Sequence, residues 1–256
     1  MARQRLGQHF LTKGSVLERI AAAACPRAGA VIEIGPGRGA LTARLLERAS
    51  RVIAIEVDPF LAGHLRSKFP GEPRLEVVEA DVLAVDLTQW GNLPITGNLP
   101  YYIASPILER TVRVAAPRAV FLIQKEVAQR LVASPGSRDY GFLTLSIALF
   151  ATTRLLFEVK PGAFHPPPKV DSAVVQLEPR AAGGGIENPD DFLRFASLCF
   201  RHKRKTLRNN LSEVYGKEAD AWPEASLRAE QIPLEGFLEM YRRIQGNRPP
   251  DASHGR

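Results

Sequence analysis

The most constraining feature of this chain is a regular alternation of short apolar, β-branched runs with stretches of helical periodicity. Val31-Ile-Glu-Ile ends at glycines, a helix-like segment spans 40–49, and Arg51-Val-Ile-Ala-Ile-Glu follows. Leu75-Glu-Val-Val, Leu93-Pro-Ile-Thr-Gly and Ala119-Val-Phe-Leu-Ile continue the series. Strands apolar on both faces must be covered on both faces, and helices that cross between strands do this. The pattern predicts βαβ units and a mostly parallel, doubly wound, Rossmann-like α/β sheet. Two later β-like stretches, 154–158 and 173–177, have no clear helix between them and are expected to close the sheet as an antiparallel hairpin.

Composition changes at Pro179-Arg-Ala-Ala-Gly-Gly-Gly, a segment with the character of a flexible joint. Beyond it, 189–245 reads as several short amphipathic helices with little β character. The expected organisation is a Rossmann-like domain over 1–183 and a small all-helical domain over 184–246. A polar, proline-containing tail over 247–256 is expected to be disordered.

Lys plus Arg number 34 against 27 Asp plus Glu, a net charge of +7, which favours polyanionic partners. The most apolar stretch, 142–157, is interrupted by Thr144, Ser146, Thr152, Thr153 and Arg154 and is too short and polar to cross a bilayer. The N-terminal residues lack the apolar core of a secretion signal, and Cys25 and Cys199 form no metal-binding or redox pattern. Cytoplasmic residence, no membrane and no metal are the expectations.

Glu33-Ile34-Gly35-Pro36-Gly37-Arg38-Gly39 follows the first strand of the alternation. Glycines there let the backbone approach a ligand closely, although a glycine loop alone is a weak signal and could be just a tight βα turn. The spacing is not the G-x-G-x-x-G of dinucleotide binders, so pyrophosphate cradling is disfavoured. Glu56 closes the second strand about 20 residues past the glycines, where a carboxylate accepts ribose hydroxyls. Asp81 follows the third strand, where it can accept from an adenine amine. A dehydrogenase gives Asp81 no task, whereas S-adenosylmethionine carries a ribose and an adenine and no phosphate.

Gly97-Asn98-Leu99-Pro100-Tyr101-Tyr102 comes directly after the fourth strand, at the edge of the sheet where ligands bind in such folds. The plain alternative is an Asn-x-Pro turn with Tyr101 packed inward. The chemical reading is specific. Adenine N6 is a poor nucleophile because its lone pair is delocalised. Acceptance of its two hydrogens by the Asn98 side-chain oxygen and the Pro100 carbonyl would draw the nitrogen towards tetrahedral geometry. Tyr101 would stack on the extruded base, worth about 1–3 kcal/mol. Phe164, in Phe164-His-Pro-Pro-Pro-Lys, either covers the opposite face of the base or is a core residue beside a stiff connector.

With these residues the chain resembles the KsgA/RsmA family of ribosomal RNA adenine dimethyltransferases, relatives of the erythromycin-resistance methyltransferases. Gly7-Gln-His-Phe-Leu, Glu33-Ile-Gly-Pro-Gly, Asn98-Leu-Pro-Tyr, Gln124-Lys-Glu-Val, Phe164-His-Pro-Pro-Pro-Lys-Val-Asp-Ser-Ala-Val-Val and Arg201-His-Lys-Arg-Lys-Thr-Leu-Arg-Asn-Asn carry the resemblance. It implies S-adenosylmethionine-dependent conversion of two adjacent adenines to N6,N6-dimethyladenosine, in a hairpin loop near the 3′ end of 16S-type rRNA. The implied substrate is an assembling small ribosomal subunit, and the enzyme is expected to act as a monomer. By the same resemblance His9, Leu11, Gly35, Gly37, Glu56, Asp81 and Asn98 line the cofactor pocket, with His9 departing from the family's Asn. Asn98, Leu99, Pro100, Tyr101 and Phe164 are the implied reaction site. Arg201, Lys203, Arg204, Lys205 and Arg208 would be a phosphate-contacting face, or else a solvated helix face. Arg3, Arg5 and Lys13 suit an N-terminal arm that closes over the site. Two other readings remain: methylation of large-subunit rRNA, and a non-catalytic ribosome-assembly factor.

Overall fold

The computed structural model describes residues 9–26, 29–180 and 185–246. The expected tail over 247–256 and the arm residues Arg3 and Arg5 lie outside the described residues.

The strands are β1 (Phe10–Leu11), β2 (Ala30–Ile34), β3 (Arg51–Glu56), β4 (Leu75–Glu79), β5 (Ile95–Asn98), β6 (Ala119–Gln124), β7 (Ala151–Val159), β8 (Phe164–His165) and β9 (Ser172–Pro179). The helices are α1 (Gly14–Ala24), α2 (Ala40–Leu46), α3 (Pro59–Lys68), α4 (Ala104–Arg113), α5 (Lys125–Leu131), α6 (Phe142–Ala148), α7 (Pro189–Cys199), α8 (Leu207–Tyr215) and α9 (Leu234–Gly246).

The large sheet has the order β4-β3-β2-β5-β6-β9-β7. Its first five strands are parallel; β9 runs antiparallel to both β6 and β7. The expected Rossmann-like sheet and its closing antiparallel pair are both present. The parallel strands are buried, as the apolar runs require: Val31, Ile32, Val52, Ile53 and Val120 through Ile123 are all at most 1% exposed. The chain moves outward from β2 through β3 to β4, then returns to lay β5 on the other side of β2. This reversal opens a crevice at the carboxyl ends of β2 and β5. Gly97 lets the two strands meet there, since a Cβ on it would lie 2.3 Å from the Ile34 carbonyl oxygen.

Local chemistry sets the crossovers. Asp58 caps α3 by accepting from the N–H groups of Phe60 and Leu61, and Pro59 occupies the first helical position, where no N–H is needed. The small sheet pairs β1 with β8 antiparallel, Phe10 opposite His165 and Leu11 opposite Phe164. It ties the N-terminal segment to the segment between β7 and β9.

The chain divides into two units. One comprises the residues up to Val132 together with Ala151–Pro179; the other comprises Ala133–Phe150 and the residues from Arg180 onward. A single boundary near residue 183 therefore misassigns 133–150. Leu145 and Leu149 sit in one apolar cluster with Phe192, Phe195, Leu211 and Phe237, and this burial binds α6 to α7, α8 and α9. A continuous sequence pattern cannot reveal an insertion whose partners lie some forty residues further on. In the same unit Phe192 meets Tyr241 edge-on at 5.5 Å, and Phe200 stacks on Phe237 at 5.4 Å. Among the described residues no helix is long and apolar enough to cross a membrane. Cys25 and Cys199 are both buried and are not joined in a disulfide.

Candidate active site

A cavity of about 690 Å³ opens at the crevice between β2 and β5, and residues of the first unit line it. His9, Leu11, Gly35, Gly37, Glu56 and Asp81 all contribute to its wall. So do Asn98, Leu99, Pro100 and Tyr101. Two groups of residues, read from sequence for separate tasks, therefore share one space.

The glycine loop is built for close approach. Gly35 and Gly37 take positive φ of 66° and 56°, and Gly37 has a second constraint, since a Cβ there would lie 3.1 Å from the Phe10 ring. The Gly37 N–H donates to Glu56 Oε2 at 3.0 Å, and the Asp58 N–H donates to Glu56 Oε1 at 3.0 Å. Each carboxylate oxygen thus retains a lone pair for a ligand hydroxyl. Glu56 is only 4% exposed, and burial raises its pKa above the ordinary carboxylate value, partly offset by the two N–H donors. Asp81 is exposed, and its Oδ1 accepts from the Leu83 N–H at 2.9 Å.

Asn98 ends β5. Its Nδ2 donates to the His9 carbonyl at 3.0 Å, which leaves Oδ1 as the acceptor the side chain still offers. Leu99 has its side chain 1% exposed and its N–H bonded to the Leu122 carbonyl at 3.0 Å, so it can act only through its own carbonyl. The Pro100 carbonyl, expected as the second acceptor, already accepts from the Ile103 N–H at 3.1 Å and keeps one lone pair. Tyr101 lines the cavity with a half-buried ring, and its hydroxyl shares a 2.7 Å hydrogen bond with Ser172 Oγ. The His9 ring lies 5.8 Å from it.

Two expectations need correction. Phe164 does not line the cavity: it is 5% exposed and packs in the core around Leu11, Val16 and Val174, because β8 pairing with β1 turns it inward. The alternative core reading holds for it. His9 lines the cavity, and its ring Nδ1 donates to the Pro166 carbonyl at 2.9 Å. The basic segment is not a helix face. Residues 201–205 form a loop between α7 and α8, and only Arg208 is helical.

The structure also adds residues that sequence reasoning passed over. Phe10 packs on Gly37 and carries the Arg38 guanidinium over its ring at 4.5 Å, which gives Arg38 a place. Lys68 Nζ holds the Arg38 carbonyl at 2.8 Å. Tyr102 lines the cavity while remaining 62% exposed. Glu33 lies 1% exposed beneath the loop, accepting from Thr42 Oγ1 at 2.6 Å, and burial pushes its pKa up to about 8. Its signal was legible: one carboxylate inside an otherwise apolar strand.

The residues fit S-adenosylmethionine. A buried carboxylate with free lone pairs, glycines at 35 and 37 that let the loop backbone come close, and apolar walls at Ile55 and Val57 suit a ribose, an amino-acid tail and an adenine.

Comparison with known proteins agrees. A family model described as "Ribosomal RNA adenine dimethylase" matches residues 1–245. A "Ribosomal RNA small subunit methyltransferase A" of Acidobacterium capsulatum is 41% identical over 258 residues, covering 94% of this chain and 90% of that protein. The protein of the same name from Thermosynechococcus vestitus is 39% identical over 263 residues, covering 96% and 99%. Among solved structures, a dimethyladenosine transferase from Plasmodium falciparum matches with TM-score 0.78 and 26% identity over 93% of this chain and 98% of that one. The 23S rRNA methyltransferase ErmE matches with TM-score 0.67 and 28% identity over 92% and 99%.

Proposed function

This chain belongs to the ribosomal RNA adenine dimethylase family, and from that premise we propose that it dimethylates N6 of two adjacent adenines in the 3′-terminal hairpin loop of small-subunit rRNA. The observation that carries the reading is the position of Asn98. Its amide nitrogen is held by the His9 carbonyl, its oxygen is left to accept, and it shares a cavity with the Gly35–Gly37 loop and Glu56.

Glu56 would hold the ribose hydroxyls of S-adenosylmethionine and Asp81 its adenine amine, with Gly35 and Gly37 leaving room for the rest. When bound, the cofactor supplies an electrophilic methyl group. Asn98 Oδ1 accepts one N6 hydrogen, and a main-chain carbonyl of Leu99 or Pro100 accepts the other. Two fixed acceptors favour the tetrahedral nitrogen over the planar one, and they cost no reorganisation during reaction. No strong base is required of the chain, because the amine hydrogen is acidic once the nitrogen is alkylated and can leave to water. The second methylation needs one acceptor released, since N6 then has a single hydrogen. Tyr101 would offer its ring to the extruded base, while its hydroxyl bonds to Ser172 Oγ.

The expected setting is the cytoplasm, with one chain acting on an assembling small subunit and the basic loop of the helical unit on RNA. The test is incubation of the protein with methyl-labelled S-adenosylmethionine and small subunits that lack the modification, followed by digestion to nucleosides. Label in N6,N6-dimethyladenosine is the expected result. Retained subunit binding without label would favour a non-catalytic assembly role. The likeness to ErmE keeps large-subunit rRNA as a second reading. Label only with large-subunit rRNA would establish it.

A further inference from the structure

The amino-acid tail of S-adenosylmethionine ends in a carboxylate, and the wall of the cavity is rich in acids. Glu33, Glu56, Asp58 and Asp81 all line it, and Arg38 is the one Lys or Arg among the described residues that does so. An anion entering such a space is repelled unless a cation or unpaired N–H groups meet it. The glycine loop offers few such N–H groups. Gly35 donates to the Ile55 carbonyl at 2.9 Å, Gly37 to Glu56 Oε2 at 3.0 Å and Gly39 to the Pro36 carbonyl at 2.9 Å. Recognition of the tail therefore falls to a side chain.

Arg38 projects from a fixed point. Lys68 Nζ donates to the Arg38 carbonyl at 2.8 Å and to the Gly39 carbonyl at 3.3 Å, which pins the backbone and commits Lys68 to these oxygens. The Arg38 side chain is exposed, with its guanidinium over the Phe10 ring at 4.5 Å from the centroid. Phe10 itself belongs to β1, and its ring packs on Gly37. A cation held by a ring face is partly oriented, yet it spends none of its N–H donors on that contact. No carboxylate pairs with Arg38 among the described residues. The guanidinium thus waits at the cavity wall with its donor fork unused, and that fork matches a carboxylate.

We propose that Arg38 binds the α-carboxylate of the cofactor's amino-acid tail, with the Phe10 ring as the platform that holds the guanidinium in reach. The inference rests on S-adenosylmethionine as the cofactor and adds the residue that recognises its tail. The carboxylate is remote from the sulfonium and keeps its charge through the reaction. The contact is therefore as strong before transfer as during it, so it lowers the KM for the cofactor and leaves kcat alone.

The test is calorimetric titration of the full chain with two compounds. One is S-adenosylmethionine; the other is its decarboxylated form, which keeps the adenosine, the sulfonium and the amine. R38Q should weaken binding of the first by roughly tenfold and leave binding of the second unchanged. R38K keeps the charge but not the planar fork, and should fall between R38Q and the parent for the first compound. In steady-state methylation of small subunits, R38Q should raise the KM for S-adenosylmethionine by the same factor at unchanged kcat. Equal losses for both compounds would overturn the inference, because Arg38 would then only shape the loop. Unchanged binding of S-adenosylmethionine to R38Q would overturn it as well. Failure of the parent to bind either compound would overturn the cofactor reading and this inference with it.

Discussion

The side-chain amide of Asn98 donates to the main-chain carbonyl of His9 across 3.0 Å, although 89 residues separate them. The bond couples the end of β5 to the segment entering β1, and it decides which atom of the amide can face a substrate. Donation by Nδ2 leaves Oδ1 to accept. Aspartate could not make this bond as an ion, and alanine would remove both functions.

Asn98→Ala should therefore lower methyl transfer by roughly 10²–10³ in kcat, the scale for removing one preorganised polar group, while affinity for subunits is retained. Single-turnover transfer of labelled methyl would measure the first, and equilibrium binding the second. Full activity in this variant would exclude Asn98 from the chemistry.

Tyr101→Ala should raise the KM for RNA by the loss of a base stack, about 1–3 kcal/mol. Tyr101→Phe keeps the ring and loses only the hydroxyl's bond to Ser172, so its KM should stay close to that of the parent. Equal KM increases in the two variants would mean that the hydroxyl, not the ring, matters.

Cofactor affinity should depend on the ionisation of Glu56. The carboxylate is the form that accepts ribose hydroxyls, and burial raises its pKa above the usual carboxylate value. Affinity should thus weaken on acidification at a higher pH than an exposed Glu would dictate. Calorimetric titration with S-adenosylmethionine between pH 8 and about 5 should show this fall, and Glu56→Gln should bind weakly with a flat profile. A parent protein with no fall over this range would remove Glu56 from the ribose contact.

Glu33 sets a pH dependence of stability. Its pKa in the folded state is raised to about 8 from 4.5, chiefly by burial. Stability from this group is complete below the unfolded value and is lost as pH rises through about 8, because ionisation of a buried carboxylate opposes folding. Glu33→Gln removes that titration while keeping an acceptor for Thr42. Its stability relative to the parent should rise steadily through this window and level off above it, as chemical denaturation at several pH values would reveal. A constant difference would mean that Glu33 does not titrate on folding.

Gly97→Ala should be severe for a glycine-to-alanine change. The added Cβ meets a main-chain oxygen of Ile34, which no rotamer can move aside. The expected cost is about 1–3 kcal/mol or more, read as a lowered Tm, together with impaired transfer because β5 carries Asn98. An unchanged Tm would mean that β2 and β5 separate easily here.

Local pattern along the chain is enough to set the class of fold and most of the site's composition. Strand runs apolar on both faces demand a covered parallel sheet, and the turns after β2, β3, β4 and β5 must then gather at one sheet edge. Gly35, Gly37, Glu56, Asp81 and Asn98 were legible for that reason: each sits just past a strand whose pattern is unmistakable. The remainder depends on contacts between distant segments. Phe164 is a core residue because β8 pairs with β1, a contact spanning most of the chain that periodicity cannot encode. Segment 133–150 joins the helical unit because its apolar side chains find partners beyond the sheet's last strand. In the basic run, Arg201 and Arg208 pair with Glu213 and Asp220, acids that folding brings near. Local pattern specifies what each segment buries; which distant residue it is buried against depends on three-dimensional packing, and that choice fixed the orientation of Asn98.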